Sequence, residues 1–115
     1  MAGEERRRYP RIPVEIFIEY EALEQFFKDY VTNISRGGIF IQTETPLPIG
    51  TKLYIRFLLP GSQEVIKTEG EVVWRSEEGK QRGMGVAFKK LDREARDRVE
   101  AIVLQAWGDE RGEED

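Results

Sequence analysis

Apolar residues recur at every second position from Val14 to Tyr20: Val14, Ile16, Ile18 and Tyr20 fall on one side, Glu15, Phe17 and Glu19 on the other. A period of two is that of a half-buried β-strand. The pattern then predicts a turn over Glu21–Gln25 and a second strand over Phe26–Thr32. A polar turn, Asn33-Ile34-Ser35-Arg36-Gly37-Gly38, leads to a short third strand over Ile39–Gln42. Pro46, Pro48 and Gly50 mark a loop. Leu53, Ile55, Phe57 and Leu59 share one face of a fourth strand, which ends at the tight turn Pro60-Gly61-Ser62. Ile66, Thr68, Gly70, Val72 and Trp74 share one face of a long fifth strand, where Gly70 suits a bulge or a barrel corner. After the charged loop Ser76–Arg82, the stretch Met84–Phe88 reads as a sixth strand.

The period changes after Phe88. Asp92 is a good N-cap, and Glu94 stands in the first turn, where the helix dipole favours a negative charge. Ala95, Val99, Ile102, Val103 and Ala106 follow at steps of three and four, an apolar stripe that predicts a helix ending at Gly108. At the other end, Pro10 and Pro13 remove amide donors and keep Arg6–Pro13 extended. Six short strands and one amphipathic helix argue for an all-β-dominated fold, a six-stranded antiparallel β-barrel with a C-terminal α-helix. The expected division is a flexible Arg-rich arm over residues 1–13, barrel plus helix over 14–107, and a disordered acidic tail over 108–115.

Composition narrows the chemistry. At 115 residues the chain is one domain, large enough to bury roughly 65% of its unfolded surface. It contains no His and no Cys, so the commonest general base and the commonest zinc ligands are missing; neither a metal nor catalysis is expected. No run approaches the ~18 apolar residues of a membrane helix, and no signal peptide follows the N-terminus, which points to the cytoplasm. The net charge is −4 and the pI about 5.1, yet Arg6, Arg7, Arg8 and Arg11 concentrate positive charge at one end. That imbalance disfavours a general nucleic-acid binder and suits a small, local anion.

Two motifs carry a resemblance. Arg7-x-x-x-Arg11 followed by Asn33-x-Ser35-x-x-Gly38 is similar to the paired RxxxR and [D/N]xSxxG motifs of PilZ domains. The similarity extends to the Val72-Val73-Trp74 strand, the Met84–Phe88 strand and the closing helix, from Arg6 to about Val103. Alone, an Arg run is more often a solvated tail, Asn33–Gly38 a hairpin turn and Trp74 a core residue. Their joint occurrence, in order, reverses those odds. The resemblance implies a PilZ-type barrel that binds the bacterial second messenger cyclic di-GMP. It implies that Arg7 and Arg11 contact guanine edges and phosphates, that Asn33 and Ser35 hydrogen-bond a guanine, and that Gly38 leaves room for the ligand. Trp74 is a further candidate contact. Arg6, just before the motif, is associated in the family with an intercalated ligand pair, so two molecules per domain are expected. A planar Arg fork matches guanine O6 and N7, worth ~1–3 kcal/mol of discrimination per pair.

Ligand binding would order the arm and signal to a protein effector, with motility among the compatible outputs and a monomer or ligand-dependent dimer as the assembly. Two other classes stand beside this reading. One is a PilZ-like interaction module that binds no ligand; the other is a small barrel for single-stranded nucleic acid, against which the acidic balance weighs.

Overall fold

The computed structural model describes residues 11–114, with side chains through Ala106 except that of Lys80. Six antiparallel strands close into a barrel in the order β1-β2-β3-β6-β5-β4. The strands are β1 Ile12–Ala22, β2 Gln25–Ser35, β3 Gly38–Gln42, β4 Lys52–Leu58, β5 Val65–Ser76 and β6 Gly83–Phe88. A single 3₁₀ turn, Gly79–Gln81, precedes β6, and helix α1 spans Arg93–Glu114. The barrel expected from the period-two pattern is the barrel observed.

The alternation holds best where it was clearest. Along β4, Leu53, Ile55 and Phe57 are buried while Lys52, Tyr54, Arg56 and Leu58 face out. Ile18, Val31, Ile39, Ile41, Val72 and Met84 complete the interior with no measurable exposure. Full burial of each such side chain contributes about 1.5–3 kcal/mol, and this core is the main reason the barrel closes.

The first hairpin is tighter than expected. Strands β1 and β2 pair through Glu21↔Phe26 and Ala22↔Gln25, leaving only Leu23 and Glu24 as the turn. Both adopt left-handed backbone, with φ of 53° and 62°. Two consecutive residues of this kind form the primed turn whose twist matches paired strands. Neither is Gly or Asn, so no local residue announced it.

Asp92 caps α1 by accepting the Ala95 amide at 2.8 Å on Oδ1. Val99 and Val103 are buried, and the helix packs against β1 and β2. Arg98 pairs with Glu94 on the helix and with Glu64 on the β4–β5 connection. Arg36 on the β2–β3 turn reaches Glu100 at 3.4 Å. The helix does not stop at Gly108 but continues to Glu114. An interior Gly costs only ~1 kcal/mol relative to Ala, and here no Pro follows to end the helix.

Candidate nucleotide-binding site

Strand alternation alone would not assemble the predicted site residues. With Val31 buried, a regular β2 would place Asn33 in the core; with Val72 buried, a regular β5 would do the same to Trp74. Register shifts intervene at both places, between Val31 and Asn33 against β3 and between Val72 and Trp74 against β6. Each inserts one extra residue, and each reverses the facing of the strand beyond it. Asn33 then pairs with Phe40, and Trp74 with Gly85. Trp74 is therefore an outward, half-buried residue, which corrects its assignment to the core face of β5. Gly70, expected at a bulge or a barrel corner, is not the bulged position; it admits β6 closely, since a Cβ there would lie 2.6 Å from Val86 Cγ1.

The two bulges aim Asn33 and Trp74 into one cavity of about 510 Å³, whose wall also includes Arg11, Phe40, Gln42 and Gln81. Arg11 Nη1 donates to Asn33 Oδ1 at 2.6 Å. The Arg arm and the barrel motif are thus joined directly at this residue. Arg11 occupies a lone pair of the Asn33 oxygen, and the Asn33 NH2 group can act only as a donor.

An aromatic pair lies beside them, the buried Phe40 and the half-buried Trp74. The Phe40 and Trp74 rings stack with centroids 5.1 Å apart and planes inclined by 29°. They meet across β6, whose Gly85 pairs with Phe40 on one side and Trp74 on the other. A Cβ on Gly85 would collide with the Trp74 indole, and one on Gly83 would collide with the Ile41 carbonyl oxygen and fall 2.7 Å from the Phe40 ring. Two glycines on the outer face of β6 let the two rings lie over the strand. Phe40, Gly83 and Gly85 do not stand out in the sequence. The alternating Gly-Met-Gly of β6 is the available signal, and by itself it predicts only a strand.

The other predicted residues divide. Ser35 is buried at 2% exposure and organises the β2–β3 turn. Its Oγ accepts the Gly37 amide at 3.2 Å and donates to the Gly38 carbonyl at 3.4 Å. Asn33 and Ser35 lie within β2, and the turn itself is only Arg36-Gly37. At Gly38 a Cβ would collide with the Val86 carbonyl oxygen, so this glycine makes room for the β6 backbone. Arg6 and Arg7 lie outside the described residues, and so does most of the arm. Among the described residues no group of three His, Cys, Asp or Glu side chains could hold a metal ion, and no helix is long and apolar enough to cross a membrane.

A second polar pair sits at the far end of the same strands. Tyr20, buried at 2% exposure, donates its hydroxyl to Asp29 Oδ2 at 2.7 Å. Burial pushes the Tyr20 phenol well above its ordinary value. It also raises the Asp29 carboxyl above its ordinary 3.8, with the hydrogen bonds from Tyr20 and Thr43 opposing.

Comparison with known proteins agrees with this architecture. The PilZ domain family model matches residues 5–105. No curated protein matches the sequence. Among solved structures, the Bacillus subtilis inhibitor of motility MotI/DgrA superposes with a TM-score of 0.77 at 19% identity, over 91% of this chain and 53% of that one. The chain thus spans about half the length of MotI. The PilZ domain of YcgR from Escherichia coli, solved with c-di-GMP, gives 0.68 at 19% identity over 96% and 98% of the two chains. The PilZ domain of CeSA from a cellulose-synthesizing bacterium gives 0.58 at 21% identity over 84% and 96%.

Proposed function

This chain belongs to the PilZ domain family, and from that premise we propose that it is a cytoplasmic, non-enzymatic receptor that binds cyclic di-GMP in the cavity between Arg11, Asn33 and Trp74. The observation that carries the reading is the convergence of these three residues on one cavity, brought about for Asn33 and Trp74 by two separate bulges. Its volume of about 510 Å³ falls within the range of small-molecule sites. A guanine could stack on the half-buried Trp74 indole, which the buried Phe40 ring backs, as bases do on exposed aromatic faces. Arg11 would give its planar fork to the guanine edge or a phosphate, sharing or releasing Asn33 as it does so. Arg7 and Arg6 would close over the ligand from the arm, with Arg6 favouring a stacked pair of ligand molecules. Ordering the arm would create the surface read by a protein effector. A setting in motility agrees with the likeness to MotI, an inhibitor of motility, and ligand binding with the likeness to YcgR, solved with c-di-GMP.

Calorimetric titration of cyclic di-GMP into the wild type and Arg7→Ala/Arg11→Ala tests this, with cyclic di-AMP and GTP as controls. Saturable, guanine-selective binding at micromolar Kd or tighter (about −8 kcal/mol or better), lost in the double variant, supports the receptor. No heat from a folded wild type sinks it. A second reading, the interaction module without ligand, has one observation in its favour: Ser35 and Gly38 are fully accounted for by the turn and by backbone packing.

A further inference from the structure

At the other end of β1, three adjacent strands carry outward side chains in register. Phe26, Glu21 and Tyr54 stand side by side on β2, β1 and β4, and Glu69 continues the row on β5. Two residues along the strands a second row runs parallel: Lys28, Glu19, Arg56 and Lys67. Between the rows lies a trough of about 650 Å³. Tyr20 and Ile55 line it although both are only 2% exposed, so the strand backbone is its floor.

The walls differ in chemistry. In the first row, aromatic and acidic residues alternate. Phe26 is 82% exposed and Tyr54 61%, unusual for large aromatic side chains on a free surface. Glu21 between them has no hydrogen-bond or ion-pair partner among the described residues, whereas Glu69 pairs with Lys90 at 3.3 Å. In the second row Glu19 is consumed by Arg56 at 2.7 Å, and that hydrogen bond holds its carboxyl below the ordinary range. Lys28 and Lys67 leave this wall positive.

The dimensions decide what fits. Rows two residues apart are separated by about 6.8 Å, and four strands span about 14 Å. A helix is 10–12 Å across with its side chains and is too wide. A single extended chain of about four residues fits, and its side chains alternate between the two walls. A cation reaching the first wall meets a carboxylate between two exposed aromatic residues whose strands lie about 9.6 Å apart, a setting that favours a planar guanidinium over a compact ammonium. Residues on either side of that cation face the basic wall. We propose that this trough captures an extended segment of a partner protein in which an arginine is flanked by acidic residues, the guanidinium seated on Glu21 between Phe26 and Tyr54. Pro13 beside the nucleotide cavity and Tyr20 beneath the trough are seven residues apart on β1, roughly 23 Å, so the two sites are separate and this assignment does not depend on cyclic di-GMP binding.

The probe is the synthetic peptide acetyl-Glu-Arg-Glu-Ala-Glu-amide, titrated into ¹⁵N-labelled full-length protein and followed by amide chemical shifts. The expected result is saturable shifts centred on residues 19–21, 26–28, 54–56 and 67–69. Replacing the peptide's arginine by the isosteric, neutral citrulline should weaken binding at least tenfold. Glu21→Lys should abolish it and Phe26→Ala/Tyr54→Ala weaken it about tenfold, each with an unchanged thermal transition and unchanged cyclic di-GMP titration. The proposal is overturned by equal binding of the citrulline peptide, by wild-type binding in Glu21→Lys, or by the absence of saturable shifts on this face. It is equally overturned if the same amides shift with protein concentration alone, or with anionic lipid vesicles, and the peptide does not compete; a second copy or a membrane would then be the occupant.

Discussion

The two decorated faces of this barrel use aromatic residues in opposite ways. On β6 the outward positions are Gly83, Gly85 and Ala87, and the Phe40 and Trp74 rings lie over the strand. On β1 the outward positions are Phe17, Glu19 and Glu21, and the rings of Phe26 and Tyr54 stand clear of a crowded, charged row. The difference lies in the strand between the rings. Where that strand carries no side chain, neighbouring rings fold down and stack on each other, leaving Phe40 buried and Trp74 half-buried beside the cavity. Where it carries long side chains, the rings remain upright and form walls, which suit a chain.

The sharpest way to break the comparison is to put a side chain against the β6 backbone. Gly38→Ala, on the neighbouring β3, places a Cβ against the Val86 carbonyl; backbone cannot yield as a side-chain tip does. A loss of about 3 kcal/mol is expected, measured by urea unfolding. Gly38→Val should therefore fail through folding rather than by blocking a ligand, contrary to a purely site-based role. Next in size is Arg11→Ala. It removes a charged hydrogen-bonding group from the cavity, so cyclic di-GMP affinity should fall by about 1.5–3 kcal/mol by calorimetry while the melting transition stays put.

Gly85→Ala sharpens the comparison more gently. The new methyl displaces the indole and lifts it from Phe40, so near-ultraviolet circular dichroism should change. Nucleotide affinity should fall about tenfold, the equivalent of one stacking contact. The opposite substitution on the other face, Glu21→Gly, should let the flanking rings collapse and leave the nucleotide titration unchanged.

Smaller still is a pH effect at Asp29. Its carboxyl is raised in the folded state from 3.8, so the folded protein holds that proton more tightly than the unfolded chain. The stability this provides is present at low pH and is lost as pH rises through the folded value. Asp29→Asn should remove that part of the decline, read as a flatter unfolding free energy from pH 4 upward. A steeper profile would contradict the burial argument.

How much was legible in the sequence depended on whether period two survived. In β4 it did, and the alternation names every buried residue. In β2 and β5 an extra residue, Thr32 or Val73, reverses the alternation without any Gly or Pro to mark it. Period two alone puts Trp74 in the core for that reason. The motif spacing implied that Arg11 and Asn33 both meet a ligand, but it did not announce their 2.6 Å hydrogen bond to each other. It could not separate a residue that faces the cavity, such as Asn33, from Ser35, which holds the turn. That distinction depends on strand facing, and the bulges change strand facing. Phe40 is hidden because its neighbours Ile39 and Ile41 are equally apolar, so the triplet has no visible inner and outer side.

The two-residue turn at Leu23-Glu24 bears on time as well as shape. It joins eleven-residue strands whose partners lie close in sequence, and such a hairpin forms in about 1–10 μs. Sealing the barrel requires β1 to find β4, from Ile18↔Phe57 to Glu21↔Tyr54, across a long loop whose entropy must be lost first. The first hairpin is thus expected to be early and the β1–β4 seam late. Conservative truncations should slow refolding at Val31 and mainly hasten unfolding at Phe57, which stopped-flow kinetics would reveal.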